Sequence, residues 1–121
     1  MAVTLSIPAD PSSVRLARLV ASGYGAQVGA TVDEVDDLRT LVDELCSMLV
    51  EHAAPTDAVV LEVSMSDDVV HISASCAKRH EWAPDMLAEG IVKVLADRYD
   101  VEASAERVVL TVEKRLEHAF A

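Results

Sequence analysis

The sequence predicts an α/β two-layer sandwich, a five-stranded mixed sheet with three helices on one face. Three observations lead there. Short runs alternate apolar and polar side chains, as in Val3-Thr4-Leu5-Ser6-Ile7, which is the period of a half-buried strand. A longer run repeats apolar residues at helical spacing, at Val35, Leu38, Val42, Leu45 and Leu49. The runs follow one another as β-α-α-β-β-α-β-β within 121 residues, with no repeat, low-complexity stretch or linker. The expectation is therefore one domain over residues 1–121.

Each element has a local reason. Pro8 ends the first strand, Asp10 can cap a helix, and Pro11 suits a first helical position, where its missing N–H costs nothing. The first helix is expected from about Pro11 through Val20, weakened afterwards by Gly23, Gly25 and Gly29. Thr31-Val32-Asp33-Glu34 has the form of a capping box and opens the long helix, which continues to His52 before Pro55. Ala58 to Met65 and Val69 to Cys76 read as a hairpin around the turn residues Ser66-Asp67-Asp68. After the polar loop Lys78 to Trp82, a third helix starts at Pro84 with Leu87, Ile91, Val94 and Leu95 facing inward, and ends near Tyr99. Two strands close the domain, from about Tyr99 to Ala103 and Arg107 to Glu113, and the tail Leu116 to Ala121 reads as frayed or briefly helical.

Composition narrows the function. Half of the chain, 51%, is hydrophobic, enough for a true core and too much for disorder. Ten basic and 21 acidic residues give a formal net charge of −11, which argues against direct contact with nucleic acid or an anionic membrane. The same charge suits a basic protein partner, such as a DNA-binding protein. Cys46 and Cys76 are too few for a disulfide framework and read as small buried apolar residues. The start of the chain lacks a basic n-region, and no run approaches a membrane span, so the expected location is cytoplasmic.

The phrase Asp-Leu-Arg-x-x-Val-Asp-Glu-Leu-Cys, Asp37 to Cys46, resembles the second helix of small anti-sigma factors built on the histidine-kinase-like (GHKL) ATPase fold. Leu5-Ser6-Ile7-Pro8-Ala9 is similar to the first strand of that family, Ile91 to Val101 to its last helix entering the next strand, and Val108 to Leu116 to its closing strand. The resemblance implies a nucleotide-binding helix with a Glu and, four residues later, a magnesium-holding Asn. Glu44 is present, but Met48 stands where the Asn is implied, and a thioether is a poor ligand for a hard cation. The resemblance further implies an Asp-x-Gly-x-Gly box and a glycine-rich lid. Here the stretch reads Ser73-Ala74-Ser75-Cys76-Ala77-Lys78, and no glycine lies between Ala77 and Met86. This pattern is similar to a degenerate, actinobacterial-type branch of these anti-sigma factors.

The expectations are accordingly a regulator that binds a sigma factor and an anti-anti-sigma (STAS-type) protein by partner switching, with no cofactor. Mg-ATP enters only if the degenerate site still functions. Glu44 is at most a vestigial catalytic residue, and Met48 is expected to fill apolar space where a nucleotide would sit. Asp33, Asp36, Asp37 and Trp82 are the candidate partner-binding residues, the first three also suiting a helix N-terminus and Trp82 also suiting a plug for the cavity. Lys78 and Arg79 read as a solvated turn, and Cys76, His80 and His71 lack the spacing of a zinc site. Two other readings stay open: an ATP-dependent serine/threonine kinase acting on an anti-anti-sigma partner, and a dimeric α/β interaction domain with an unrelated partner.

Overall fold

The computed structural model describes residues 1–117. Five strands and three helices follow in the expected order: β1 (Ala2–Pro8), α1 (Val14–Gln27, after a 3-10 turn at Pro11–Ser13), α2 (Val32–His52), β2 (Ala58–Ser66), β3 (Val69–Ala77), α3 (Met86–Leu95), β4 (Arg98–Ala103) and β5 (Arg107–Arg115). The sheet runs β1-β2-β3-β5-β4. All four pairings are antiparallel, so the sheet is not mixed. Two helices between β1 and β2 reverse the chain twice and return it antiparallel, with Pro8 opposite Ala58. The single crossover through α3 leaves β3 and β4 pointing the same way, but β5 comes back between them and separates the parallel pair.

One face of the sheet is apolar and carries the helices. Leu61, Ile72, Ala74, Leu110 and Val112 lie there, each at most 1% exposed. Against them α2 lays Leu38, Leu41, Val42, Leu45, Cys46 and Leu49, also at most 1% exposed. Each leucine of that stripe contributes about 2 kcal/mol by burial alone. The other face is hydroxyl-rich, with Ser73 between Glu62 and Thr111 in the register and His71 beside Glu113 at 3.3 Å.

Local chemistry explains the boundaries. Thr31 Oγ1 accepts from the Glu34 N–H and Glu34 Oε1 accepts from the Thr31 N–H, so the capping box is complete. Asp67 and Asp68 have φ of 51° and 62°, the backbone of a two-residue hairpin turn. Asp85, not Pro84, caps α3, its carboxylate accepting from the Leu87 and Ala88 N–H groups. Leu116 is buried, its N–H donating to the Asp68 carbonyl, while the rest of the tail read as frayed or helical, residues 118–121, lies outside the described residues.

Two helices depart from expectation. α1 runs on to Gln27, past Gly23 and Gly25, and stops at Gly29, whose φ is 80°. The Ala30 N–H donates to the Gly25 carbonyl and the Gly29 N–H to the Ala26 carbonyl, a Schellman stop. Gly25 is tolerated because α2 passes close by, and a Cβ there would sit 2.9 Å from Val35 Cγ2 and 3.3 Å from Leu38 Cδ1. In α3 the inward residues are Ala88 and Val92, whereas Leu87 and Val94 are 76% and 83% exposed. Ile91 and Leu95 are half-buried. α3 packs on α2 through its smallest apolar residues, which let the two backbones draw close.

The two α1 glycines separate propensity from packing. A Cβ at Gly23 would meet nothing within 4 Å, so Gly23→Ala should stabilise the domain by up to about 1 kcal/mol. Gly25→Ala makes the same propensity gain but crowds the stiff Val35. It should come out about 1–3 kcal/mol less stable than Gly23→Ala in urea denaturation. Equal stabilities would mean that the α1–α2 contact yields freely.

Candidate functional site

The flank of α2 facing α3 carries Glu44, Met48 and His52, spaced one turn apart on one side of the helix. The segment between β3 and α3, residues 78–85, folds over them. Its Arg79 N–H donates to His52 Nε2 at 3.2 Å, which assigns the ring proton to Nδ1. The His80 ring lies 4.4 Å from the His52 ring and the Trp82 ring 5.2 Å, both edge-on. Met48, at 4% exposure, lies beneath. What remains is a cleft of about 170 Å³ lined by Met48, Glu51, His52, His80, Trp82, Ala83 and Asp85.

The corner is partly dry, with carboxylates beside Glu44 and cationic groups beside His52. Burial, then the neighbouring Asp43 and Asp85 carboxylates, push the Glu44 carboxyl above its ordinary range. Burial, then the charges of His80, Lys78 and Arg79, hold His52 below its ordinary value, so it is neutral at neutral pH. Trp82 Nε1 is buried without a hydrogen-bond partner among the described residues. Lys78 is not a solvated turn residue: its side chain is 14% exposed and reaches Glu81 at 3.3 Å, while its N–H donates to the Glu106 carbonyl.

Where a nucleotide box would bend away from the sheet, β3 continues in its ladder to Ala77 opposite Arg107. Ala74 and Cys76 point into the core, both 0% exposed, and burial pushes the Cys76 thiol up. His71 faces the other side of the sheet, where its Nε2 and the Ser66 hydroxyl are 3.1 Å apart. No cluster of three or more metal-ligating side chains exists among the described residues.

The acidic candidates lie elsewhere. Asp33 is exposed, Asp36 pairs with Arg39 at 2.8 Å, and Asp37 faces Lys114 at 3.3 Å. All three sit near the start of α2, about 22–28 Å of helix away from His52. The four residues read as partner-binding candidates therefore do not form one surface. His52 was missed by the sequence reading, although its position four residues after Met48 was the available signal. No helix among the described residues is long and apolar enough to cross a membrane.

A family model described as the histidine kinase-like ATPase domain matches residues 7–114. The anti-sigma-F factor RsbW of Mycobacterium tuberculosis is 33% identical over 98 residues, covering 79% of this chain and 58% of that protein. The serine-protein kinase RsbW of Bacillus subtilis is 38% identical over 55 residues, covering 46% of this chain and 34% of that protein. The chain thus spans between a third and somewhat over half of these relatives' lengths. A crystal structure of the RsbU and RsbW domains of a Mycobacterium tuberculosis protein superposes with a TM-score of 0.82 at 18% identity, over 99% of this chain and 33% of that one, a likeness of fold.

The His52 environment has a pH signature. With its folded-state pKa held below the ordinary 6.5, the folded chain binds fewer protons than the unfolded chain in mild acid. Stability should therefore fall as pH drops below about 6.5, and the melting temperature at about pH 5.5 should lie below that at about pH 7.5. Glu44, raised rather than lowered, works in the opposite sense at lower pH. His52→Gln should flatten the fall, as read by scanning fluorimetry, and an identical fall in both proteins would place the titrating group elsewhere.

Proposed function

Since the chain belongs to the histidine kinase-like ATPase domain family, we propose that it is an anti-sigma-type regulator that works by protein binding alone, without nucleotide. It holds a sigma factor in the cytoplasm by covering the surface that would meet core polymerase. It gives that factor up when an anti-anti-sigma (STAS-type) protein competes for it. The similarity to RsbW proteins named as an anti-sigma factor and as serine-protein kinases supports the regulatory part. The net charge of −11 suits a basic, DNA-binding partner and speeds its capture.

The observation that carries the nucleotide-free part is the occupation of the cleft by the chain's own side chains. Met48 offers a thioether where magnesium wants oxygen, and the Trp82 and His52 rings meet edge-on in the space beside it. The remaining 170 Å³ is below the roughly 300–1,000 Å³ of ordinary ligand pockets. Glu51 and Asp85 are the charged side chains that line it, and no Lys or Arg side chain does, although Lys78 and Arg79 act on His52 from nearby. The residues present do not fit a magnesium nucleotide.

One observation favours the kinase reading. Glu44 is retained on α2 with a raised pKa, which suits a general base. That role requires a bound nucleotide to act on.

Titration calorimetry decides between the two. Mg-ATP and Mg-ADP should give no saturable heat up to about millimolar ligand. A sigma factor of the source organism should bind with the same affinity with or without nucleotide. Saturable Mg-ATP binding, followed by phosphate transfer to a STAS-type protein, would put the kinase reading in its place.

A further inference from the structure

The outward face of α3 has no partner within the chain. Met86, Leu87 and Val94 are 87%, 76% and 83% exposed, the most exposed large apolar side chains among the described residues together with Val32, and all three share one short helix. With Gly90 and Ile91 they form a ridge at helical spacing, and these residues together with Leu95 line a shallow, open depression of about 350 Å³. Val101, on the helix-bearing side of the neighbouring edge strand, is a further 38% exposed. Contiguous apolar surface of this kind marks a docking face.

Gly90 is a second, separate observation. It occupies the middle of a ten-residue helix, where glycine is the least favourable ordinary choice. Nothing inside the domain asks for it, since a Cβ there would meet no atom within 4 Å. A bare backbone at the centre of an exposed apolar ridge admits close approach by another helix.

Charge selects the occupant. Asp85 caps α3, and Glu89, which accepts from the Tyr99 hydroxyl at 2.6 Å, stands in its first turn. Glu81, paired with Lys78 at 3.3 Å, precedes them, and Asp97, which accepts from the Arg115 N–H, follows the helix, so three of the four carboxylates carry their charge beside neutral donors. Lys93 is the one cation on α3, and the nearby Arg98 is already paired with Asp100 at 2.8 Å. A second copy of the chain would bring the same acidic rim and another −11, and an anionic membrane would be repelled likewise. We propose that the Met86–Leu87–Gly90–Ile91–Val94 face docks the apolar side of a basic amphipathic helix from a partner protein. This deepens the reading of the chain as a protein-binding regulator and rests on it for the partner's identity.

The test has two arms. In the first, the isotopically labelled protein is titrated with a synthetic helix of about 18 residues, leucines at i, i+3, i+4 and i+7 and lysines elsewhere, beside a scrambled peptide of the same composition. Shifts should concentrate on α3 with the helix-forming peptide alone and weaken with salt. Leu87→Ser/Val94→Ser, which touches only exposed side chains, should keep the parent's circular dichroism and melting temperature while binding about tenfold or more weakly. Gly90→Ala should raise the melting temperature yet weaken peptide binding, a divergence that a merely structural role would not produce. Shifts spread over other elements, equal response to the scrambled peptide, or unchanged binding by the variants would overturn the proposal. So would a dimer in sedimentation that dissociates in the double variant, because the occupant would then be a second copy.

In the second arm, the same variants are measured against the sigma factor. Loss of binding supports the face as the regulator's contact, and full retention overturns that assignment. If no sigma factor binds even the parent protein, the regulatory reading fails, while the peptide arm still decides whether α3 is a docking face.

Discussion

The structure hangs on the rotational setting of α2. Its stripe from Leu38 to Leu49 is sealed against the sheet, and that burial determines which side chains the remaining sides present. A slip of one residue would turn the helix by about 100° and drive charge into the core. The ends hold the setting. At the start, Thr31 and Glu34 bond reciprocally, and the other Glu34 oxygen accepts from the Glu117 N–H at 2.7 Å, tying the helix to the chain beyond β5. At the finish, His52 takes the Arg79 N–H and anchors the segment that covers the cleft.

From that setting follows the character of the site. Glu44, Met48 and His52 share one flank, so whatever fills the space beside them is decided by the segment after β3. Here that segment brings the Trp82 and His80 rings to within 5.2 Å and 4.4 Å of the His52 ring. The closure is imperfect: Trp82 Nε1 has no partner among the described residues, and an unmatched buried donor costs about 1–3 kcal/mol. Against that cost stands the packing of the partly buried ring on the core.

Much of this was legible in the residues. Alternation marked β1, β2, β3 and β5, and the Thr31–Glu34 box marked the start of α2, because these signals are local and strong. The β2–β3 hairpin was legible from its turn residues, but the order of the strands across the sheet was not: whether β5 lies between β3 and β4 depends on contacts far apart in the chain. α1 outran its forecast because Gly25 owes its place to Val35 on another helix. The face of α3 was misjudged for a different reason. Met-Leu-Ala-Glu-Gly-Ile-Val-Lys-Val-Leu is apolar on nearly every side, so periodicity does not choose, and close packing on α2 selected Ala88 and Val92 over larger residues. Of the site, the Glu44–Met48 flank was visible from sequence, and the His52–His80–Trp82 cluster, made by a segment 26 or more residues downstream of α2's end, was not.

The register of the strands has a geometric consequence for assembly. Ala2 lies opposite Ser64 and Arg115 opposite Val69, at the sheet end that carries the hairpin turn, whereas Ala58, Ala77 and Arg107 mark the end beside the cleft. Both ends of the described chain thus emerge at the pole remote from His52 and Trp82. A fluorophore attached at Ala2 or at Arg115 would therefore sit at the opposite end of the sheet from the cleft and would report on events there only over the length of a strand.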